Sequence, residues 1–263
     1  MAEAIDYKHI GSRPVRPDGV DKVTGRAEFG GDVSLPGMII GKILRSPHAH
    51  ARIKSIDITD ALAIPGVHAV ITGEDFPGGG ISGEIDGEGG GSISDQAKNV
   101  IARDKVLYHG HALAAVAAIS DTAADRALDA IKVEYEVLSP VLDILEAIDP
   151  DSALVNENNY TKLPEKPDRP SNIANVGKLV RGDIQEGFER ADVIIKREYV
   201  CPMTHQGYIE PHSCLASVDE EGKGTVWCST QGHFEFRNQT ASILKKNIAD
   251  LKFVAKEIGG GFG

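Results

Sequence analysis

The run KVLYHGHALAAVAAISDTAADRALDAIKVEYEVL, residues 105–138, changes its hydrophobic period twice. Lys105–Tyr108 and Ala112–Ile119 read as strands, the second apolar on both faces and therefore covered on both sides. Ser120 and Asp121 follow as a helix N-cap, because a short oxygen-bearing side chain there accepts a hydrogen bond from an otherwise orphaned backbone N–H. Thr122–Ile131 is alanine-rich and predicts a helix. Lys132–Leu138 alternates, with Val133, Tyr135 and Val137 against Lys132, Glu134 and Glu136, which predicts a half-buried strand. Strand, helix and strand in such close order imply helices packed on a sheet.

Toward the N-terminus, residues 1–37 are dense in turn signals such as Pro14, Asp18-Gly19, Gly30-Gly31 and Pro36-Gly37, and read as an extended lead-in that wraps a core. Met38–Arg45, Ala51–Ile58 and Gly66–Thr72 read as strands, with a short helix from Thr59 or Asp60 to Ile64 that Pro65-Gly66 ends. Residues 77–94 are glycine-rich and poor in apolar side chains to offset the entropy of ordering, so a long mobile surface loop is expected there. A phosphate-cradling loop would need a leading strand and a following Gly-Lys-Ser/Thr, and neither is present.

Toward the C-terminus, Pro150, Pro164, Pro167 and Pro170 mark the best linker in the chain. Asp183 caps a predicted helix through Ala191, with Glu186 placed as in a capping box. Val193–Val200 reads as a strand. Ser213–Val218 and Thr225–Thr230 flank a hairpin turn, a helix is expected over Phe234–Asn247, and Leu251–Ile258 is the last strand.

The chain has 263 residues and a net charge of −11, which repels phosphate backbones and makes nucleic acid a poor partner. Neither a basic run for an anionic membrane nor an apolar run of spanning length occurs, and the first residues lack a signal-peptide core, so a cytoplasmic location is expected. Cys201, Cys214 and Cys228 are widely spaced and form no Cys-x-x-Cys pair, so they read as reduced, buried thiols rather than zinc or iron–sulfur ligands.

Two features stand where chemistry is usually placed. Ser229-Thr230-Gln231 lies between a predicted strand and a predicted helix, a corner where backbone N–H groups point outward. Gln231 can both donate and accept hydrogen bonds there, although Thr230 as a helix cap beside an exposed Gln231 explains the same residues. Gly259-Gly260-Gly261-Phe262-Gly263 follows a strand, and its glycines let a ligand approach the backbone, although a flexible tail has the same composition. His205, Glu210 and His212 are metal-capable but lack the His-Glu-x-x-His spacing, and His109 and His111 read as surface residues of a turn.

Taken in order, these segments resemble the molybdenum hydroxylases, the xanthine dehydrogenase and aldehyde oxidase family. The resemblance rests on Leu35-Pro36-Gly37-Met38, Arg45-Ser46-Pro47-His48-Ala49-His50-Ala51, Ile64-Pro65-Gly66-Val67, Tyr108-His109-Gly110-His111 with the apolar run after it, Val133-Glu134-Tyr135-Glu136, Gly182-Asp183, Glu210-Pro211, Ser229-Thr230-Gln231 and Gly259–Gly263. It covers nearly the whole chain. His111 and Ala112 depart from it, standing where Gln and Pro are common.

The resemblance implies an α+β fold: a lead-in and α/β hammerhead domain over residues 1–150, a linker over 151–180, and the first part of a molybdopterin-binding domain over 181–263. It implies a molybdenum-pterin cofactor, with the metal held by the pterin dithiolene and by no protein side chain. Gln231 would hydrogen-bond an oxygen ligand of the metal, Gly261, Phe262 and Gly263 would line its other side, and Glu210 would help shape the nearby wall. The implied reaction is hydroxylation of an electron-poor carbon of an aldehyde, a purine or other N-heterocycle, or an aromatic thioester. Water is the oxygen source, and electrons pass to iron–sulfur clusters and FAD on partner subunits. No catalytic residue is assigned, because the family's catalytic Glu would lie beyond Gly263, and the remainder of the molybdenum subunit is an expected partner. The isolated chain is then expected to be inactive. A non-catalytic remnant that keeps the hammerhead fold and binds only protein, and a free-standing nucleotide-binding module, are the alternatives.

Overall fold

The computed structural model describes residues 7–77, 84–85, 91–165 and 167–262. In chain order the elements are α1 (Gly19–Thr24), β1 (Ile40–Arg45), β2 (Ala51–Asp57), α2 (Thr59–Leu62), β3 (Val67–Thr72), β4 (Glu84–Ile85), β5 (Gly91–Ser92), α3 (Ile93–Asn99), β6 (Lys105–Val106), β7 (Ala112–Ala118), α4 (Asp121–Ala130), β8 (Lys132–Val137), α5 (Ile144–Ala147), α6 (Ile184–Glu189), β9 (Cys214–Val218), β10 (Gly224–Ser229), α7 (His233–Ile243) and β11 (Leu251–Lys256). The fold is α+β. Packing divides the chain into Gly37–Thr204 and a second unit of residues through Pro36 together with those from His205 on. This division differs from the one expected at residues 1–150, 151–180 and 181–263, because the lead-in groups with the last strands.

In the Gly37–Thr204 unit, β7 is the middle strand of the sheet β1-β7-β3, antiparallel to both neighbours. Its Ala114, Val116 and Ala118 pack with Ala123, Ala124 and Ala127 of α4, whose small side chains let the helix lie close on the sheet. Leu113 points the other way and is fully buried with Ala51 of β2 and Val106 of β6, from the second sheet, β6-β2-β8. A strand between two cores needs apolar residues at successive positions, which is why Ala112–Ala118 shows no alternation. Ser120 caps α4, its Oγ accepting from the Ala123 N–H at 3.2 Å.

Several expectations are corrected. Val193–Val200 forms no strand among the described residues, and Val193, Ile195 and Val200 are exposed. A strand is held by a neighbour's N–H and C=O groups, and none is supplied there. The expected linker is folded back on its unit: Val155 N–H donates to Asn172 Oδ1 at 2.9 Å, Lys162 N–H to Ala174 O at 2.9 Å, and Glu157 pairs with Lys105 at 2.9 Å. Asp183 caps α6 through the Glu186 N–H, while the Glu186 carboxylate turns to Arg190 at 3.1 Å instead of closing a capping box. The expected glycine-rich loop over residues 77–94 lies mostly outside the described residues. Its described parts include the β4–β5 pair and the start of α3, which the composition did not predict.

In the other unit, β9 and β10 form the expected hairpin, with Asp219 Oδ1 accepting from Glu221 N–H at 3.0 Å and Lys223 N–H at 2.8 Å across the turn. β10 and β11 are parallel and joined by α7, a βαβ crossover, in a sheet ordered β11-β10-β9. The lead-in lies along β11: Phe29 bridges to Glu257, Lys22 pairs with Glu257 at 2.9 Å, and Lys256 pairs with Glu28 at 2.6 Å.

Candidate cofactor-binding site

Because β10 and β11 run parallel from Gly224↔Leu251 to Ser229↔Lys256, their carboxyl ends open on one edge of the sheet. Ligands favour that edge in parallel βαβ units, since the chain turns away there and leaves side chains and N–H groups free to face a guest. Gln231 follows the end of β10, and Gly259–Phe262 follow the end of β11.

A carboxylate ties the two exits together. Ser229 Oγ donates to Glu210 Oε1 at 2.6 Å, and Gly259 N–H donates to Glu210 Oε2. The lead-in joins in, with Gly30 N–H donating to Ser229 Oγ at 3.0 Å. Partial burial raises the Glu210 pKa, but hydrogen bonds from Ser229, Gly259 and Gly30 outweigh it and hold the carboxyl below its ordinary value. Glu210 is thus an anionic clamp that fixes the glycine run against the end of β10. Spacing could not have found this role for Ser229, because its partner Gly30 lies 199 residues away in sequence.

The clamp brings Gln231 and the glycine run to close approach. A Cβ built on Gly261 would lie 2.8 Å from Gln231 Nε2, so a larger residue here would displace the exposed Gln231 amide. Gln206 Nε2 holds the Gly261 carbonyl at 3.3 Å. Gly260 has φ +144°, and a Cβ there would meet the Phe262 ring at 2.8 Å. Phe262 has φ +60° and is 75% exposed, an uncommon conformation and placement for an aromatic residue. Gly263, the remaining member of the expected set, lies outside the described residues.

Among the described residues no hydrogen bond engages the Gln231 amide. Thr230 is buried and accepts from Gly232 N–H at 3.1 Å, so the corner is ordered by its neighbour while Gln231 stays exposed. An exposed amide beside a side-chain-free backbone and an exposed aromatic ring suits a large ligand rich in oxygen and nitrogen, as a pterin cofactor is.

The other metal-capable residues do not converge. His212 Nε2 lies 3.0 Å from Tyr208 Oη, while Glu210 is taken by Ser229 and Gly259. Among the described residues no group of three or more His, Cys, Asp or Glu could hold a metal ion. A cleft of about 760 Å³ beside Gly260 and Gly261 is lined by charged residues of the lead-in and of β11, but includes neither Gln231 nor Phe262. Its Lys22, Arg26 and Lys256 already pair with Glu257, Asp21 and Glu28, so they offer a ligand little free charge.

Two further expectations fail. His111 is fully buried rather than a surface residue: its Nε2–H donates to Asn99 O at 2.8 Å, and its Nδ1 accepts from Leu107 N–H at 3.3 Å. Burial holds its pKa below the ordinary histidine value. Of the three thiols expected to be buried, Cys201 and Cys214 are exposed and only Cys228 is buried.

Residues 24–139 match the a/b hammerhead domain of aldehyde oxidase and xanthine dehydrogenase, and residues 165–263 match the molybdopterin cofactor-binding domain. The chain is 34% identical over 249 residues to a probable xanthine dehydrogenase subunit of Bacillus subtilis (strain 168), covering 95% of this chain and 31% of that protein. It is 33% identical over 258 residues to the nicotinate dehydrogenase large molybdopterin subunit of Eubacterium barkeri, covering 98% and 56%. Among solved structures, quinoline 2-oxidoreductase from Pseudomonas putida 86 superposes with a TM-score of 0.78 at 26% identity, covering 99% of this chain and 32% of that one. The chain therefore spans between about a third and about half of the length of these relatives. With both domains matched in order, the chain belongs to the xanthine dehydrogenase and aldehyde oxidase family of molybdopterin oxidoreductases.

Proposed function

We propose that the chain forms one wall of the molybdenum-pterin site of a hydroxylase large subunit. In this reading Gln231, Gly261, Phe262 and Gly263 face the cofactor, and the remaining contacts and the catalytic base come from the rest of that subunit. The observation that carries it is the approach of Gly261 to the Gln231 amide at the shared carboxyl edge of β10 and β11. When bound, the cofactor supplies Lewis-acid and redox chemistry. This chain's residues orient and shield: Gln231 offers donor and acceptor atoms, Phe262 an apolar wall, and the Glu210 clamp keeps both in register.

The reaction is hydroxylation of an electron-poor carbon with water. Relatives named for xanthine, nicotinate and quinoline support an N-heterocycle, and an aldehyde oxidoreductase among the similar structures keeps an aldehyde beside it as a candidate substrate. Iron–sulfur and flavin subunits would take the electrons, the isolated chain would be inactive, and the complex would be cytoplasmic. No helix among the described residues is long and apolar enough to cross a membrane. The test is to replace Gln231 by Ala and Phe262 by Ala in the assembled complex and assay oxidation of purines, nicotinate and quinoline. Gln231→Ala is expected to lose about a hundredfold to a thousandfold, the range for removing one preorganised hydrogen-bonding group, and Phe262→Ala to lower turnover as well. Unchanged turnover would point to a non-catalytic remnant.

A further inference from the structure

Cys214 and Cys228 stand directly opposite each other on β9 and β10. The turn sets the alternation of the ladder: Asp219 N–H donates to Lys223 O at 3.0 Å, so 219/223 is a hydrogen-bonded pair. Counting inward, the pairs 217/225 and 215/227 are hydrogen-bonded too, and 214/228 falls at a non-hydrogen-bonded position. At such positions the Cα atoms approach to about 4.5 Å and the side chains share one face. A disulfide accepts Cα separations of roughly 4.4–6.8 Å, so the bridge needs no backbone displacement.

We propose that Cys214 and Cys228 are a redox-modifiable dithiol that closes into a cross-strand disulfide beside Ser229. The two thiols differ in accessibility, with Cys214 exposed and Cys228 buried. Burial raises the Cys228 pKa, and the neighbouring Cys214 adds to the rise, as expected when the two sulfurs lie close. The exposed Cys214 thiolate is therefore the entry point for a low-molecular-weight disulfide such as oxidised glutathione. Its attack forms a Cys214–glutathione mixed disulfide and releases one glutathione thiol. Cys228 then loses its proton and attacks the Cys214 sulfur, releasing the second glutathione. Two protein thiols are oxidised and one small disulfide is reduced to two thiols, so atoms and electrons balance. Closure pins β9 to β10 next to Ser229, whose hydroxyl joins Gly30 to Glu210. The redox state of the pair is thereby coupled to the clamp beneath the cofactor wall.

The test uses the full chain under native conditions. It is treated with oxidised glutathione, the remaining thiols are alkylated, and intact mass and digests are read. The expected product joins Cys214 to Cys228 with the loss of two hydrogens, carries an alkyl group or one glutathione on the equally exposed Cys201, and reopens with dithiothreitol. Cys201→Ser forms the same bridge and Cys214→Ser does not. Fluorescence of Trp227, the only tryptophan, falls on closure in the first variant and stays unchanged in the second. A bridge that uses Cys201, or a Cys214–glutathione adduct that persists beside a reduced Cys228, overturns the proposal.

Discussion

Glu210 carries more of the local structure than its chemistry alone suggests, since one carboxylate holds Ser229 and Gly259 at once. Glu210→Gln exchanges a charge-assisted acceptor for an amide that cannot satisfy both donors, a loss of about 1–2 kcal/mol at neutral pH by urea denaturation. The lowered Glu210 pKa means its contribution is full above the ordinary carboxylate range and is lost as pH falls through the folded value. The stability gap between wild type and variant therefore narrows in acid. His111 would ionise to a cation rather than an anion, yet the sign of the effect is the same. Its neutral ring is favoured in the fold, so stability falls as pH drops below about 6.5, where the unfolded histidine protonates. His111→Gln should flatten that limb of the urea-midpoint profile between about pH 6.5 and 5. Gly261→Ala pushes a methyl into the Gln231 amide and should lower molybdenum per complex without altering the far-ultraviolet circular dichroism. Strand-end position singled out Gln231 and the glycine run but fitted a helix cap and a flexible tail equally well, whereas the Ser229–Glu210–Gly259 clamp joins distant segments and leaves no local pattern.

Among the elements, β7 and α4 were the most readable, because an unbroken apolar run, a serine cap and an alanine-rich helix each state one local preference and all agree. Leu113→Ala should destabilise by about 3 kcal/mol, since a fully buried leucine between two sheets leaves a cavity that neither can collapse into. Ser120→Ala should cost about 1 kcal/mol, the usual value of an N-cap, and both follow from urea midpoints. Val193–Val200 shows the limit of such reading: its residues favour a strand, but a pattern cannot say whether a neighbour exists to pair with it. α3 was missed for the converse reason. Ile93–Asn99 is short and without helical periodicity, and of its residues Ala97 is buried.

At the scale of the molecule, turn signals marked the lead-in as a wrapping segment but could not say what it wraps. Its attachment to β11 rests on a strand bridge and on ion pairs of Lys22 and Lys256. Partly exposed pairs of this kind contribute modestly singly and weaken with salt. The most direct measurement is the molybdenum content of the complex that a tagged form of this chain brings down from its own cells, for wild type and for Gln231→Ala. If the chain is one wall of the cofactor site, wild type carries about one molybdenum per chain, and the substitution lowers that figure while the partners stay bound. A wild-type complex without molybdenum, or a content that Gln231→Ala leaves unchanged, would contradict the assignment.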